Sequence, residues 1–359
     1  MGLVRNNIAA MQGYAPGEQP QDPNVIKLNT NENPYPPSPR ALAVIRTIAS
    51  DALRRYPNPE ARCFLEAAAR VHGVSADKII TTNGGDELLA LVFRACVGEN
   101  DAVAFLEPSY SLYPVLAAVQ GARTIALPYR IDGVTWTVPE EIFHVDAKLL
   151  LITNPNAPSG TLMDLDTLAR IVGGFSGVVL IDEAYVDFAP TSALALVERF
   201  ANVILLRSMS KGYGLAGLRF GYGIAQPPLL TELYKVRDSY PCDAIASAAA
   251  AAAISDQVYA RHIREQVCAA RTELTRQLRE MDFTIPESNS NFVLARMPPG
   301  IDAAAVYQQL KARNILVRYF PLPRLMDSLR ITIGTPEQNQ LLLSALAEIL
   351  NLGMLRARP

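Results

Sequence analysis

Residues 178–185 read Val-Val-Leu-Ile-Asp-Glu-Ala-Tyr, and residues 203–214 read Val-Ile-Leu-Leu-Arg-Ser-Met-Ser-Lys-Gly-Tyr-Gly. In each stretch four aliphatic residues are followed directly by charged or hydroxyl-bearing residues. Short aliphatic runs of this kind are typical of strands that are buried on both faces of a parallel sheet. Open α/β sheets bind ligands outside the carboxyl ends of their strands. Both stretches therefore predict polar groups at a ligand-binding edge.

Further apolar runs extend this pattern and alternate with amphipathic stretches of helical period. Strands are predicted at residues 78–82, 102–106, 122–127, 148–153, 178–181 and 203–206, with helices at 87–96, 112–120 and 165–172. Such alternation indicates an α/β fold, with a doubly wound, mainly parallel central sheet that is flanked by helices.

The chain is predicted to divide into three parts. Residues 1–39 contain seven prolines and should form an extended arm. Residues 40–255 carry the strand and helix alternation and form the large domain. Residues 256–359 begin with a long helical stretch, followed by strand-like runs at 292–294, 315–317 and 329–333 and a final helix, which is typical of a smaller α+β domain.

Composition narrows the class of partner. The 359 residues are 50% hydrophobic and 19% charged, with a net charge of -2. No field of a single sign favours nucleic acid or an anionic membrane, so small-molecule substrates are expected. The four cysteines are far apart and the N-terminal residues contain no apolar signal core, which favours the cytoplasm. The three histidines show no metal-ligand spacing, so no metal is predicted.

The candidate catalytic and binding residues lie at the ends of these two strands and in the loops that follow them. A buried carboxylate such as Asp182 is costly without a cation, although an Asp that caps a turn is the alternative. Lys211 is one of six lysines and follows a buried strand, so it is a candidate nucleophile for a carbonyl carbon, the alternative being a solvated loop lysine. Ser208, Ser210 and Arg219 suit a phosphate.

A third loop, residues 82–87, supplies backbone donors. Gly84, Gly85 and Asp86 lie between a predicted strand and a predicted helix, where main-chain N–H groups and the helix dipole favour a phosphate. The alternative is a plain glycine turn with acidic residues that complement the dipole. The sequence has no G-x-x-x-x-G-K-[ST] and no G-x-G-x-x-G at a predicted strand-helix turn, which disfavours a nucleoside triphosphate or a dinucleotide. A phosphate seat, a strand-end acid and a loop lysine together suit pyridoxal phosphate.

Several motifs resemble those of a known family nearly from end to end. They are Asn-Pro-Asn-Ala-Pro-Ser-Gly at 154–160, Asp-Glu-Ala-Tyr at 182–185, Ser-Met-Ser-Lys at 208–211, Leu-Ala-Gly-Leu-Arg at 215–219, the arm sequence at 28–35, and shorter motifs at 55–57, 84–87, 108–110 and 330–334. The chain resembles the fold-type I pyridoxal-phosphate-dependent transferases, and specifically the histidinol-phosphate aminotransferase family.

The resemblance implies a role for each matching residue. Lys211 would hold the cofactor covalently and transfer protons, Asp182 would pair with its pyridine nitrogen, Tyr185 would donate to its phenolic oxygen and Tyr110 would stack on its ring. The phosphate would be held by Gly84, Gly85, Asp86, Ser208, Ser210 and Arg219. Tyr56 would reach the phosphate in the neighbouring subunit, which implies a homodimer with shared active sites.

One position departs from the family pattern. The residue before Pro-Ser-Gly, which is usually the asparagine that contacts the phenolic oxygen, is Ala157. Either Asn156 reaches that oxygen instead, or Tyr185 makes the contact alone; we predict that Asn156 binds the cofactor in this way.

The resemblance also implies the substrates. Histidinol phosphate would donate its amino group to 2-oxoglutarate in a ping-pong reaction of histidine biosynthesis. Arg330, Arg318 and Tyr14 would bind the anionic substrates, although Arg318 could be a surface residue. Asn31 and Glu32 would face the imidazole ring, the alternative being a polar turn in the arm.

Three other functions remain open at this stage. The same pocket could serve an aromatic or broad-range aminotransferase, or a lyase such as threonine-phosphate decarboxylase. A non-enzymatic domain that senses ligands is the third.

Overall fold

A computed structural model describes the backbone of residues 2–356 and the side chains up to residue 350. The strands are β1 Ile26–Lys27, β2 Ile79–Thr82, β3 Ala102–Glu107, β4 Arg123–Pro128, β5 Arg130–Asp132, β6 Thr135–Thr137, β7 Leu149–Thr153, β8 Val178–Asp182, β9 Val203–Ser208, β10 Gly221–Ala225, β11 Phe292–Arg296, β12 Ile315–Leu316, β13 Arg318–Tyr319 and β14 Ser328–Thr332.

The helices are α1 Asn6–Ala10, α2 Pro39–Thr47, α3 Ser50–Arg54, α4 Arg62–His72, α5 Gly85–Cys96, α6 Leu112–Gln120, α7 Leu165–Gly174, α8 Leu194–Arg199, α9 Pro227–Val236, α10 Ala244–Ser255, α11 Gln257–Glu280, α12 Ala303–Ala312 and α13 Pro336–Arg356. Short 3-10 helices lie at Ala76–Lys78, Glu140–Phe143, Val186–Phe188 and Ala216–Leu218.

The central sheet has seven strands in the order β2-β10-β9-β8-β7-β3-β4. Strand β10 is antiparallel to both of its neighbours, and the other pairs are parallel. The predicted fold class, a mainly parallel sheet flanked by helices, is therefore confirmed. All six strands that the sequence predicted for this sheet are present.

Strand β10 was not predicted because glycine weakens the strand pattern at Gly221 and Gly223. The structure gives the reason for both glycines. A Cβ on Gly221 would lie 2.6 Å from the backbone carbon of Gly84, and one on Gly223 would lie 2.8 Å from the Leu88 side chain. The missing side chains thus let the start of α5 pack closely against β10.

Apolar side chains of the central strands alternate between the two faces of the sheet. In β9, Val203 and Leu205 pack in one buried cluster, whereas Ile204 and Leu206 pack in the cluster on the opposite face. The period of two is that of a strand, and each fully buried aliphatic side chain contributes roughly 1.5–3 kcal/mol. A sheet covered on both faces leaves its strand ends as the place for polar groups.

The C-terminal part of the chain has its own core. Strands β11, β14 and β13 form an antiparallel sheet, against which apolar residues of α11, α12 and α13 pack. Strand β1 of the N-terminal arm pairs in parallel with β12, so the arm is hydrogen-bonded to this region. The domain limits at residues 39 and 255 stay a prediction, and residues 357–359 of the predicted third part lie outside the described residues.

The arm is not extended throughout. Helix α1 interrupts it, and the Asn7 side-chain amide donates to the carbonyl oxygens of Ala118 and Val119 near the end of α6. None of the helices in the described chain combines the length and the apolar character that a membrane span requires.

Candidate active site

The polar residues that follow β2, β8 and β9 meet at one edge of the central sheet. Strands β8 and β9 are parallel, so Asp182 and Ser208 end them on the same side. Gly221 of β10 pairs with Ser208 in one direction and with Thr82, the last residue of β2, in the other. This arrangement brings the loop that begins at residue 83 next to the loop that carries Lys211.

Asp182 is a buried acid, 4% exposed. Its Oδ1 accepts a hydrogen bond from the Ala184 backbone N–H at 3.0 Å, and its Oδ2 accepts one from the Tyr113 hydroxyl at 3.1 Å. Within residues 2–350 no cationic side chain forms an ion pair with it. Burial raises the pKa of Asp182 to about 6. A bound cation at this carboxylate would therefore stabilise its charged form.

The Lys211 amine is half-buried in the loop after β9. Its Nζ donates to the Thr30 carbonyl oxygen at 2.9 Å and lies 6.0 Å from the centroid of the Tyr185 ring. Burial lowers the pKa of Lys211 to about 8, and the charge of Arg330 acts in the same direction. A lysine with a lowered pKa carries more of the neutral, nucleophilic amine near pH 7.

The loop before α5 and Arg219 form a cradle. Gly84 has φ +82° and ψ 167°, a conformation essentially restricted to glycine, and precedes the first turn of α5. A Cβ on Gly84 would lie 2.7 Å from Arg219 Nη2, which shows how closely the guanidinium approaches the loop. Arg219 Nη2 is 3.6 Å from Asp86 Oδ2. Free main-chain N–H groups of the first helical turn and a guanidinium side by side favour an anion.

Hydroxyl groups complete this cradle. The Ser208 hydroxyl oxygen accepts a hydrogen bond from the Ser210 N–H at 3.1 Å, so its own proton remains available to another acceptor. Both serine side chains are buried. Gly85, the first residue of α5, packs against Leu206, where a Cβ would come within 3.0 Å. The phosphate-binding residues predicted from sequence are thus brought together.

Three tyrosines surround the same edge. The Tyr110 hydroxyl donates to Asp86 Oδ1 at 3.0 Å, and the Tyr110 ring packs edge-on against Tyr14 with centroids 5.8 Å apart. The Tyr185 hydroxyl accepts a hydrogen bond from Asn31 Nδ2 at 3.0 Å. Burial raises the pKa of Tyr110 and the pKa of Tyr185, so both phenols carry their protons near pH 7.

Two arginines of the C-terminal sheet lie next to this group. Arg330 Nη2 donates to the Asn29 carbonyl oxygen at 2.9 Å, while its buried Nε lacks a partner among the described residues. Arg318 Nη2 reaches the Ala15 carbonyl oxygen at 3.5 Å. Burial lowers the pKa of Arg330, and the charge of Arg318 contributes to this. The unpartnered Nε of Arg330 and the neighbouring positive charges of Arg330 and Arg318 favour an anionic ligand.

The Asn156 side chain makes its hydrogen bonds within the chain. Its Nδ2 donates to the Pro108 carbonyl oxygen at 3.3 Å and to the Ser159 hydroxyl at 2.9 Å, and its buried Oδ1 has no partner in the described chain. The donor that a phenolic oxygen would need is thus already used within the chain. The prediction that Asn156 makes this contact stays untested, and Tyr185 is the donor that the geometry leaves.

The arm residues Asn31 and Glu32 are also engaged. The Glu32 carboxylate forms an ion pair with Lys27, whose Nζ also donates to the Thr30 hydroxyl at 2.7 Å. The Asn31 amide uses both of its groups within the chain, towards Tyr185 and Thr332. Contact of these two residues with a substrate ring stays a prediction.

Tyr56 is not brought to the site of its own chain. Its side chain is 81% exposed and stacks on Tyr240 with ring centroids 4.5 Å apart. A role at the site of a neighbouring subunit therefore stays a prediction.

Sequence reasoning missed three residues of the site. Tyr113 and Thr153 hold each other by a hydroxyl contact of 2.6 Å behind Asp182, and the Thr30 carbonyl holds Lys211. The three-residue spacing of Tyr110 and Tyr113 was an available signal, because the turn that leads from Tyr110 into α6 brings residues three apart close together. A backbone carbonyl carries no such signal. No group of potential metal ligands was found in the part of the chain that the structure describes.

Comparison with known proteins agrees with this fold. The family model for aminotransferase class I and II matches residues 23–346. The chain belongs to the class I and II aminotransferase family.

Individual relatives show a more specific similarity within this family. The chain is 48% identical over 347 residues to histidinol-phosphate aminotransferase 1 of Trichormus variabilis, with 96% of this chain and 98% of the relative covered. It is 45% identical over 350 residues to histidinol-phosphate aminotransferase of Citrifermentans bemidjiense, covering 97% and 99%. Among solved structures, histidinol-phosphate aminotransferase from Sinorhizobium meliloti in complex with pyridoxal-5'-phosphate superposes with a TM-score of 0.87 at 26% identity, covering 98% of each chain.

Proposed function

We propose that this chain is a pyridoxal-phosphate-dependent aminotransferase that transfers the amino group of histidinol phosphate to 2-oxoglutarate. The products are imidazole acetol phosphate and glutamate, and the reaction is a step of histidine biosynthesis with ping-pong kinetics. Support comes from relatives of that name at 45–48% identity over nearly the whole chain. The observation that carries the proposal is Lys211, an amine of lowered pKa that lies near Arg219 and Asp86 of the phosphate-type cradle and follows the strand next to the one that ends in the buried Asp182.

The residues present fit pyridoxal phosphate. A protonated pyridine nitrogen would supply the cation that Asp182 lacks in the described chain. Gly84, Gly85, Asp86, Ser208, Ser210 and Arg219 would hold the phosphate through N–H groups, hydroxyls and a guanidinium. Tyr110 offers a ring face and Tyr185 a phenol proton. When bound, the cofactor supplies an aldehyde that condenses with amines and a ring that accepts electrons.

The chain's own residues handle the protons. The Lys211 amine, with its pKa lowered to about 8, can accept a proton from the substrate carbon that bears the amino group and return it as a general acid. Asp182 would favour a positive charge on the ring nitrogen of a bound cofactor, and its carboxylate is held in position by hydrogen bonds from the Ala184 N–H and the Tyr113 hydroxyl.

Both substrates are anions, and one site must accept them in turn. Histidinol phosphate carries a phosphate ester, whereas 2-oxoglutarate and glutamate carry carboxylates. Arg330 and Arg318 suit both groups, since a guanidinium binds either one in a bidentate manner. Tyr14, packed on Tyr110, is the third residue that we assign to the substrate.

We also propose a homodimer in the cytoplasm. Exposed aromatic rings stacked in a pair, as in Tyr56 and Tyr240, favour coverage by another protein surface, and the resemblance assigns Tyr56 to the neighbouring site.

All four cysteines are free, which suits a reducing compartment such as the cytoplasm.

One experiment separates this function from its alternatives. Protein loaded with pyridoxal phosphate is mixed in turn with histidinol phosphate, phenylalanine and phosphothreonine, each together with 2-oxoglutarate as amino acceptor, and keto products, glutamate and carbon dioxide are measured. The proposal expects glutamate formation with histidinol phosphate at a kcat/KM well above that with phenylalanine. Faster turnover of phenylalanine would indicate an aromatic aminotransferase, and carbon dioxide from phosphothreonine would indicate a lyase. Absence of all turnover would indicate a sensing domain.

A further inference from the structure

Asn31 has a backbone conformation that few residues adopt. Its φ is +56°, in the left-handed region, where asparagine is one of the better tolerated residues after glycine. The residue is 1% exposed. Conformations of this kind persist where surrounding contacts determine them, and they are frequent at functional sites.

The contacts of Asn31 tie the arm to the C-terminal sheet. Its backbone N–H donates to the Thr332 hydroxyl oxygen at 3.0 Å, and that hydroxyl donates to Asn31 Oδ1 at 3.2 Å. Its carbonyl oxygen accepts a hydrogen bond from Asn291 Nδ2 at 2.9 Å. The remaining polar group is the side-chain Nδ2, which donates to the Tyr185 hydroxyl oxygen at 3.0 Å.

This network excludes the Asn31 side chain as the acceptor of the Tyr185 proton. Because the Thr332 oxygen already accepts the Asn31 N–H, its proton goes to Oδ1, and the amide must then present Nδ2 to Tyr185. A phenol oxygen that accepts from an amide directs its own proton to another acceptor. We propose that Asn31 is a positioning residue that aims the Tyr185 proton at the phenolic oxygen of the cofactor. The inference rests on the proposed function, in which Tyr185 donates to that oxygen.

The departure at residue 157 increases the importance of this role. Ala157 has no side-chain donor, and Asn156 Nδ2 is occupied by Pro108 and Ser159. Tyr185 is therefore the donor on which the phenolic oxygen depends.

The test is Asn31→Asp, which keeps the size and the acceptor towards Thr332 but replaces the donor towards Tyr185 by an acceptor. The Tyr185 proton should then turn to residue 31. In protein loaded with pyridoxal phosphate, the pKa at which the bound-cofactor absorbance changes should rise by about one unit, or tenfold, as in Tyr185→Phe. The double variant should show no further rise.

Two further variants keep the test decisive. Asn31→Gly tolerates the positive φ and removes the donor without replacing it by an acceptor. The absorbance pKa of this variant should therefore lie between the values of wild type and Asn31→Asp. If Asn31→Asp does not fold, Asn31→Gly provides the test. Asn291→Ala removes the tether to the Asn31 carbonyl but leaves the Asn31 side chain intact. It should lower the unfolding midpoint of cofactor-free protein while leaving the absorbance pKa unchanged.

The outcomes separate this inference from the proposed function. If Tyr185→Phe raises the absorbance pKa while both Asn31 variants retain the wild-type value, the role of Asn31 is wrong and that of Tyr185 stands. If Tyr185→Phe itself changes nothing, the assignment of Tyr185 is wrong and the inference about Asn31 is lost with it.

Discussion

Arg318 on β13 and Arg330 on β14 are directly opposed in the antiparallel pairing, and neither contacts a carboxylate within residues 2–350. Like charges opposed on one face of a sheet are destabilising unless an anion neutralises them. Arg330 lies near Tyr185 and Tyr14, and we therefore expect that anion to be a substrate.

Replacing Arg330 should therefore weaken both half-reactions. Arg330→Ala removes a charged hydrogen-bond donor, so kcat/KM for histidinol phosphate and for 2-oxoglutarate should each fall by about 10- to 100-fold. Arg313→Ala, which changes a more exposed arginine paired with Glu348 in the C-terminal part, is the control and should retain wild-type kinetics. Steady-state kinetics of the two half-reactions decide this, and a loss confined to one substrate would contradict a shared anion site.

Asp182 should make the cofactor-free protein less stable as the pH rises. Its pKa in the folded state, about 6, is above the ordinary 3.8, so between these values the folded state holds the proton more tightly. The contribution of Asp182 to the free energy of unfolding is fully present below about pH 4. It falls by roughly 1.4 kcal/mol for each pH unit between the two pKa values and is lost above about pH 6. Cofactor-free Asp182→Asn should consequently exceed wild type in free energy of unfolding at pH 7.5, by about 1–3 kcal/mol, and by much less at pH 4.5.

Urea unfolding at the two pH values measures this difference. Bound cofactor should reverse the order, because the pyridine nitrogen then pairs with the wild-type carboxylate. An equal pH dependence of the two cofactor-free proteins would show that Asp182 does not titrate in this range.

Lys211 should be the preferred target of aldehydes. Its pKa of about 8 leaves more neutral amine at pH 7.5 than an ordinary lysine has. Treatment with pyridoxal phosphate and borohydride, followed by peptide mass spectrometry, should label Lys211 ahead of the other five lysines. Lys211→Ala should lose this label and the absorbance of the protein-bound cofactor. Equal labelling of exposed Lys235 would argue against an activated amine.

Gly84→Ala should damage phosphate binding specifically. The added Cβ would lie 2.7 Å from Arg219 Nη2 and would push the guanidinium out of the cradle. Affinity for pyridoxal phosphate should fall at least about 10-fold, whereas affinity for pyridoxal, which lacks the phosphate, should change little. Gly300→Ala is the matched control, since Gly300 also has φ +82° but nothing within 4 Å of its Cβ position. Similar losses for both ligands would point to backbone strain instead.

The strands and the principal acid and amine could be predicted because they share one local signal. Aliphatic runs that end in Asp182 or lead to Lys211 combine a buried strand with an unusual polar residue, and both features are visible in neighbouring residues of the sequence. Strand β10 was not predicted, because glycine has a low strand propensity and its glycines are required there for close packing.

The missed contacts depend on residues that are distant in sequence. Tyr113 meets Asp182 across 69 residues, and Asn31 meets Thr332 across 301 residues. No periodicity or spacing encodes such pairs. Asn156 shows that nearby residues also matter. Its Nδ2 donates to the hydroxyl of Ser159, whereas the motif suggested a cofactor contact for this group.

The pairing of β1 with β12 has a consequence for how the enzyme is made. Thr30 and Asn31 follow β1 within a few residues and touch Lys211 and Tyr185, yet β1 obtains its strand partner from residues 315 and 316. A nascent chain leaving the ribosome can build most of the central sheet before that partner has been translated. Closure of the pocket is therefore expected only after residues 315 and 316 have emerged and β1 can dock onto β12.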